Sequence, residues 1–323
     1  MDLPHWFQPL GGGVHAIDTG FQGDDFDAAY LIVDGGRAAF VDTGTAFALP
    51  RLLRALDLLG LSAQAVDWII PTHVHLDHAG GVGPLARALP YAQVLVHPRG
   101  ARHMIDPSAL YQGALADYGA EEMERSYGQL VGVAAERVGS SADGMTVHLD
   151  DRPLLLIDTP GHAKHHHCIW DATSRGWFTG DTFGLSYREF DTDRGAWIFP
   201  TSTPVQFEPE ALRHSVERLL SHQPSRMYLT HYSQVEDVPR LGQLLLDLLE
   251  RTVTLSQDLH QQHGATPQRH QALKEGLLHL YVHSLREHGC TLSVQEVSQA
   301  LALDIELNAQ GIAVWLDRPA KNS

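Results

Sequence analysis

Cysteine is scarce in this chain, since only Cys168 and Cys290 occur among its 323 residues. Two thiols so far apart in sequence do not suggest a disulfide framework. Long apolar runs are also lacking, and none approaches the ~18 consecutive residues that a membrane-spanning helix needs. The first residues have neither the basic segment nor the apolar segment of a secretory signal. These absences predict a protein of the reducing cytoplasm that does not bind a membrane.

Positive charge is also in short supply, with 23 Lys and Arg against 39 Asp and Glu and a formal net charge of −16. Binding to a polyanion needs clustered cations. We therefore expect a small-molecule substrate and no nucleic-acid partner. The apolar content of 43% and the charged content of 19% are ordinary for a globular chain. A chain of this length can bury a full core.

Histidine, by contrast, is abundant, and four metal-binding side chains fall within six positions between Thr72 and Gly81. The apolar, β-branched segment 66–70 precedes them and Pro71 closes it, which predicts a buried strand that runs out into a loop. Apolar residues recur at helical spacing after Gly81, so a helix follows. Loops at strand ends of a rigid scaffold often carry chemistry. The four candidate ligands are His73, His75, Asp77 and His78.

These four donors could hardly all bind one tetrahedral ion from a single loop. Imidazole and carboxylate favour zinc or a similar divalent metal. If His73 and His75 point one way and Asp77 and His78 another, the loop serves two ions. Two metals ~3.5–4 Å apart are a common arrangement in hydrolases. Some of the 21 histidines will cluster by chance, but this spacing at a strand exit favours a metal site.

The stretch resembles the His-x-His-x-Asp-His signature of the metallo-β-lactamase-fold hydrolases, the superfamily of glyoxalase II, lactonases and ribonuclease Z. Further ligand types follow at later strand ends, in the family's order, and the resemblance covers residues 14 to about 235. One of them ends a Thr-Pro-Gly-His motif. The additional ligands that the resemblance implies are His162, Asp181 and His231. It assigns His73, His75 and His162 to one metal, Asp77, His78 and His231 to the other, and Asp181 to a bridge between them.

The implied site has a net positive charge, because two divalent ions outweigh Asp77, Asp181 and a bridging hydroxide. Such a site can stabilise an oxyanion. Metal binding lowers the pKa of water from ~16 to about 7, which provides a nucleophile at neutral pH. Asp77 is placed to orient that hydroxide and is therefore the predicted catalytic residue. We expect two divalent ions, with zinc favoured over iron and manganese, although the same ligands accept all three.

Four further residues are candidates for supporting roles. Asp42 ends a predicted strand, and the resemblance implies that it supports the metal site by holding a ligand histidine in its tautomer. An N-cap for the following helix is an equal alternative. In the tract His165-His166-His167, we expect His166 to pack or hydrogen-bond near the site. Tyr187 and Arg188 follow the bridging carboxylate and could bind a substrate carbonyl or carboxylate, with ordinary loop packing as the alternative.

The pattern of elements predicts an α/β protein, and the resemblance implies a four-layer αββα sandwich with an all-helical C-terminal extension. The predicted catalytic domain covers residues 1–235. Residues 99–143 form a partly helical insertion within it, either a lid or substrate wall over the site or a surface excursion. Residues 236–323 form the extension, in which Ser293 and Glu296 make a capping box. This extension lacks a basic face, which favours packing or pocket structure over a nucleic-acid reader.

The combined prediction is a binuclear metallohydrolase that attacks an ester or thioester bond with a metal-bridging hydroxide. A helical tail after the last ligand is similar to glyoxalase II, so a thioester is the leading substrate. A lactonase or phosphodiesterase on the same site is the alternative. Outside hydrolysis, the alternatives are a persulfide dioxygenase with a single iron and a non-catalytic binding protein. A flavodiiron reductase is disfavoured, because those proteins carry Glu where His75 stands.

Overall fold

The computed structural model describes residues 3–202 and 205–319. The chain divides into two compact units. The first contains the chain up to Asp158, together with His165–Gly180 and Pro224–Glu236. The second contains Thr159–Lys164, Asp181–Gln223 and the chain from Asp237 onward. The division into a catalytic domain over 1–235 and an extension over 236–323 stays a prediction.

The first unit contains a seven-stranded sheet whose strands lie side by side in chain order. They are β1 (Phe7–Gly11), β2 (Val14–Asp18), β3 (Ala28–Asp34), β4 (Arg37–Val41), β5 (Val66–Ile70), β6 (Gln93–Val96) and β7 (Val138–Ser140). Neighbours are antiparallel from β1 to β4 and parallel from β4 to β7. Gly35 and Gly36 both have positive φ and make the two-residue turn between β3 and β4, as the twist of a tight hairpin requires.

A second sheet of six strands completes the β-structure of this unit. Its strands are β8 (Met145–Leu149), β9 (Arg152–Asp158), β10 (His167–Asp171), β11 (Gly176–Gly180), β12 (Arg226–Leu229) and β13 (Ser233–Val235). All neighbours are antiparallel except β11 and β12. Side chains of both sheets share one core, in which Tyr30 and Val41 meet Leu156 and Phe178. The sheets therefore pack face to face.

Helices cover the other face of the first sheet. Both α1 (Leu49–Leu58) and α3 (Val82–Ala88) bury apolar side chains in a core with β3, β4 and β5. The one-turn helix α2 (Leu76–Ala79) precedes α3, and the insertion contains α4 (Pro98–Ile105), α5 (Ser108–Tyr118) and α6 (Ala120–Glu122), followed by a π-helical turn over Met123–Tyr127. Gly83 of α3 lets the insertion approach closely, since a Cβ there would lie 1.8 Å from the carbonyl oxygen of Val131.

One buried ion pair joins strands of the second sheet. The guanidinium of Arg152 binds both carboxylate oxygens of Asp171, with Nε 2.9 Å from Oδ1. Its Nη1 donates to the carbonyl of Gly12 at 2.7 Å. The two side chains are 2% and 0% exposed, so removal of either partner would leave an uncompensated charge in the core.

The second unit is helical. It contains α7 (Pro209–Ser221), α8 (Val238–His263), α9 (Pro267–Glu287), α10 (Val294–Ala300) and α11 (Ala302–Leu316). The predicted capping box opens α10, because Ser293 Oγ accepts from Glu296 N at 3.2 Å and Glu296 Oε2 accepts from Ser293 N at 2.6 Å. Among the helices of the described residues, none combines the length and apolarity needed to cross a membrane. Two mixed sheets, flanking helices and a helical C-terminal region confirm the predicted α/β sandwich.

Candidate metal centre

The predicted ligand loop leaves β5 at Pro71 and ends in α2. His75 has an extended backbone and precedes the first turn of α2, so Asp77 and His78 lie on that turn. His73 and His78 are fully buried, and Asp77 has a side chain that is 25% exposed. His73 and His75 therefore lie in the loop, whereas Asp77 and His78 lie on a helical turn. This change of backbone conformation allows side chains that are close in sequence to point in different directions.

Asp77, His78 and His231 come together within the first unit. Their ligand atoms lie within 4.8 Å of one another, and Asp77 Oδ2 is 3.7 Å from His78 Nε2 and 3.5 Å from His231 Nε2. Two ligands held ~2.0–2.1 Å from a tetrahedral zinc ion are about 3.3 Å apart. The separations are thus close to the edges of a coordination tetrahedron, and the donor types suit zinc.

Hydrogen bonds on the far side of each ring set the tautomers of these two histidines. His231 Nδ1 lies 3.0 Å from the carbonyl oxygen of Phe26, which can only accept, so Nδ1 carries the proton. His78 Nδ1 lies 3.0 Å from Asp42 Oδ2 and donates to it for the same reason. The lone pair of each ring is then on Nε2, the atom that faces Asp77. Metal-binding histidines generally need such an acceptor behind the ring.

Asp42 joins three parts of the chain at this point. Its Oδ1 accepts from Thr72 N at 2.7 Å, and the hydroxyl of Thr72 is 3.0 Å from both carboxylate oxygens. Its Oδ2 accepts from Thr230 Oγ1 at 2.8 Å as well as from His78. Asp42 does not cap the following helix: Thr45 caps the 3₁₀ turn Ala46–Ala48, with its side chain accepting from Phe47 N, and α1 begins after Ala48 without a side-chain cap. The carboxylate of Asp42 lies behind the ring of His78, and its role in supporting a metal site stays a prediction.

His73 and His75 form a second pair in the same unit. His73 Nε2 lies 2.8 Å from His75 Nδ1, and His73 Nδ1 lies 3.2 Å from the hydroxyl of Thr72. His166 stacks on His73 with ring centroids 4.8 Å apart and an interplanar angle of 24°. His166 therefore packs against the candidate ligand His73, and its supporting role stays a prediction.

The other two residues of the histidine tract hold the ligand loop by its backbone. His167 N donates to Thr72 O at 2.9 Å, and its ring lies 3.0 Å from Pro71 O and 2.8 Å from Ser141 Oγ. Burial lowers the pKa of His167 to about 3. His165 Nδ1 lies 3.5 Å from Val74 N, and burial with the nearby His75 lowers its pKa to about 3. Both rings are therefore neutral at physiological pH.

The remaining two candidate ligands belong to the second unit. His162 Nε2 lies 3.4 Å from Asp181 Oδ2, and both side chains are buried. Asp181 directly follows β11, and His162 closes a short segment after β9, so each candidate ligand lies just beyond a strand end. The hydroxyl of Thr182 donates to Thr159 O at 3.4 Å. This bond links the two segments that carry the pair.

Tyr187 and Arg188 also lie in the second unit. The hydroxyl of Tyr187 donates to Asp304 Oδ1 of α11 at 3.2 Å, and burial beside that carboxylate raises the pKa of Tyr187 well above its usual range. Arg188 Nη2 donates to the carbonyl and hydroxyl oxygens of Ser186 at 2.6 Å, and Nη1 is 3.4 Å from Asp191. A substrate role for either residue stays a prediction.

Sequence reasoning missed Thr72, Thr230 and Asp27. A signal for the first two was present, because each threonine directly precedes a candidate ligand in a Thr-His pair. Asp27 is fully buried, accepts from Thr19 Oγ1 at 3.0 Å, and has its pKa raised by burial to about 8. No spacing rule pointed to Asp27, since it lies in a loop rich in acidic residues and glycine.

The sequence is similar to those of known proteins over much of its length. The family model described as the metallo-beta-lactamase superfamily matches residues 22–231, more than half of the chain. The acyl-coenzyme A thioesterase MBLAC2 of Gallus gallus is 28% identical over 193 residues, which cover 56% of this chain and 67% of that protein. A hydroxyacylglutathione hydrolase of Anaeromyxobacter dehalogenans is 46% identical over 68 residues, which cover 21% of this chain and 24% of that protein.

The fold has solved counterparts as well. The crystal structure of an archaeal metallo-beta-lactamase superfamily protein from Sulfolobus tokodaii aligns with a TM-score of 0.64 at 20% identity, covering 93% of this chain and 98% of that one. At this identity the likeness concerns the fold. Together with the family match over the segment that carries the candidate ligands, it places the chain among known proteins: this protein belongs to the metallo-beta-lactamase superfamily.

Proposed function

We propose that this protein is a metal-dependent hydrolase of a small acyl substrate, and that the substrate is a thioester. The seven proposed ligands bind two divalent ions, zinc in the first instance. They are His73, His75, Asp77, His78, His162, Asp181 and His231. Asp42 and His166 support them.

The arrangement of Asp77, His78 and His231 carries this proposal. Two Nε2 atoms and one carboxylate oxygen converge at 3.5–3.7 Å, with the Nδ1 atoms engaged elsewhere. Separations of this size between two imidazole nitrogens and a carboxylate oxygen suit ligands that share one divalent ion. When bound, the divalent ions supply Lewis acidity that activates a water molecule and stabilises negative charge on the substrate oxygen.

The protein's own groups direct the reaction. Asp77 is the most exposed of the three converging residues, so it accepts a hydrogen bond from the attacking water and orients it toward the carbonyl carbon. Asp42 keeps the proton of His78 on Nδ1 throughout. Hydrolysis consumes one water, breaks the carbon–sulfur bond, and releases a carboxylic acid and a thiol.

Two relatives support the choice of a thioester. MBLAC2 of Gallus gallus is named an acyl-coenzyme A thioesterase, and the Anaeromyxobacter relative is named a hydroxyacylglutathione hydrolase, whose substrates are thioesters too. Both names describe a leaving thiol that carries anionic groups. The net charge of −16 argues against long nucleic acids as substrates for the phosphodiesterase alternative.

Metal content tests the site. Elemental mass spectrometry on the purified protein should give about two zinc, iron or manganese ions per chain. Asp181→Ala should lose metal, whereas Asp193→Ala, at an exposed position of the same unit, should not. A single iron that survives His231→Ala would overturn the hydrolase and point to sulfur oxidation.

Substrate class is tested next on the metal-loaded enzyme. The assay compares kcat/KM, with and without EDTA, for four kinds of substrate: acyl-coenzyme A thioesters, acyl-glutathione thioesters, lactones and phosphodiesters. We expect thioester hydrolysis that EDTA abolishes and that Asp77→Asn lowers by at least about a hundredfold. Preference for a lactone or a phosphodiester would refute the thioester assignment while leaving the metal site intact.

A further inference from the structure

A cavity of about 290 Å³ lies in the first unit, between the loop after β2 and the insertion. We call it the Arg125 pocket. The lining residues that matter below are Thr19, Phe21, Thr45, Phe47, Arg125 and Ser126. Positive φ at Gly20 and Gly23 gives the loop its sharp course.

Packed side chains connect the pocket to the candidate metal centre. Phe21, which lines the pocket, packs with Leu76 of α2 and with Met123 and Tyr127 of the insertion in one buried cluster. Phe21 also contacts Phe26, with ring centroids 6.0 Å apart, and the backbone carbonyl of Phe26 accepts from His231 Nδ1. Phe21 therefore touches the chain neighbour of Asp77 and a residue that contacts His231.

The lining has a distinct chemistry. Thr19, Thr45 and Ser126 contribute hydroxyl groups to the lining. Phe47 contributes an aromatic ring and is 56% exposed. Arg125 is the cation of the lining, and its side chain is 70% exposed. Small-molecule pockets usually enclose ~300–1,000 Å³, so this one suits the end of a substrate rather than all of it. The guanidinium suits a phosphate or carboxylate, whereas the hydroxyls of Thr19 and Ser126 already donate to Asp27 and Glu122.

We propose that the Arg125 pocket binds the anionic end of the thiol portion of a thioester substrate, with the Arg125 guanidinium as its anchor and Phe47 as its apolar wall. This assignment rests on the proposed function and adds the leaving-group side of the substrate to it. The anionic end is either the phosphates of a coenzyme A thioester or the carboxylates of a glutathione thioester.

Glu122 makes the proposal testable by two substitutions with opposite effects on binding. Its two carboxylate oxygens accept from Arg125 Nη2 and from Ser126 Oγ, so the pocket's cation and one of its hydroxyls are held by a competing carboxylate. The negative charge of Glu122 therefore opposes the binding of an anion beside Arg125. Removal of that charge should therefore strengthen binding, while removal of Arg125 weakens it.

The test is calorimetric binding of S-methyl coenzyme A and S-methylglutathione, which lack a free thiol, to the zinc-loaded protein. One of the two should bind, and this identifies the leaving thiol. Arg125→Ala should weaken its binding about tenfold, and Glu122→Gln should strengthen it about two- to fivefold. Arg87→Ala, an exposed arginine of α3 that does not line the pocket, should leave binding unchanged.

Binding and turnover separate the two proposals. If neither probe binds, if Arg125→Ala binds like wild type, or if Glu122→Gln weakens binding, the pocket assignment is wrong whatever the enzyme hydrolyses. If binding follows the expected pattern but no thioester is cleaved, the pocket stands and the thioesterase fails. With turnover, Arg125→Ala should raise KM for the anionic thioester and leave KM unchanged for the N-acetylcysteamine ester of the same acyl group.

Discussion

The carboxylate of Asp42 lies 3.0 Å from Nδ1 of His78, and these side chains are only 1% and 0% exposed. The same carboxylate binds Thr72 and Thr230. One buried group therefore fixes the tautomer of a candidate metal ligand and also joins two segments that each lead into another candidate ligand.

Asp42→Asn tests this relationship with little change in shape. Asn tolerates the positive φ of 55° at this position. An amide that turns its nitrogen toward His78 can no longer accept the Nδ1 proton, which shifts the proton to Nε2 and blocks the metal-binding lone pair. We expect zinc affinity to fall about 10–100-fold, measured by competition with a chromophoric chelator. Asp67→Asn, which breaks the partly exposed pair with Arg37, should leave zinc affinity unchanged, and a normal affinity in Asp42→Asn would refute the role.

Substitution of two helical glycines, Gly83 and Gly113, tests whether the insertion packs on α3 as described. Gly83→Ala should destabilise the protein by about 1–3 kcal/mol, because its Cβ would collide with Val131 O. Gly113→Ala in α5 should stabilise it by roughly 0.5–1 kcal/mol, because nothing lies within 4 Å of its Cβ. Urea denaturation at pH 7 measures both. Equal effects from the two substitutions would mean that the insertion does not pack on α3 as described.

The buried pair of Arg152 and Asp171 should be strongly coupled. Arg152→Met leaves the Asp171 carboxylate buried without its cation, and we expect a loss of about 3–5 kcal/mol in the free energy of unfolding. The double variant Arg152→Met/Asp171→Asn has no buried carboxylate at this position. Its loss in the free energy of unfolding should therefore be much smaller than the sum of the losses of the two single variants. A double-mutant cycle by chemical denaturation gives the coupling. Additive losses would contradict the pairing.

His167 should make stability depend on pH. Burial lowers its folded pKa to about 3 from 6.5, so between these values the unfolded chain binds the extra proton. The free energy of unfolding should therefore fall as pH falls below about 6.5, by about 2 kcal/mol at pH 5 from this group alone. Above pH 6.5 it adds no slope.

The measurement compares urea denaturation of the EDTA-treated protein at pH 7.5 and pH 5. His167→Gln should lose less stability between the two pH values than wild type does. His148→Gln, at an exposed position of β8, should behave like wild type. An unchanged pH dependence in His167→Gln would show that the pKa of this ring is the same in the folded and unfolded states.

Local patterns were enough to predict the elements that carry the candidate ligands. The apolar run before Pro71 is β5, the helix after Gly81 is α3, and the Ser293 capping box is formed, because each depends on residues within a few positions of one another. The candidate ligands His73, His75, Asp77 and His78 were indicated by their spacing at a strand exit, whereas His162, Asp181 and His231 came only from the family resemblance, and their role as ligands stays a prediction.

Contacts that join distant segments could not be predicted in this way. Thr230 meets Asp42 across 188 residues, and nothing in the local sequence of either residue specifies the other. The Arg125 pocket depends on how the insertion packs on the loop after β2, and the insertion has little periodicity to indicate its orientation. The sequence also left open whether Asp42 caps the following helix, and in the structure Thr45 caps the 3₁₀ turn that precedes α1.

The contact between Asp42 and Thr230, which are 188 residues apart, also affects the order in which the site forms during synthesis. The loop that bears His73 through His78 leaves the ribosome early, but Thr230 and His231 follow more than 150 residues later, and contacts of such separation form late because closing the intervening loop costs entropy. A partly made chain thus has Asp42, Thr72 and His78 but lacks the hydroxyl of Thr230, which completes their buried hydrogen-bond network, and it also lacks the candidate ligand His231. We therefore expect a nascent or truncated chain that ends before Thr230 to hold metal only weakly.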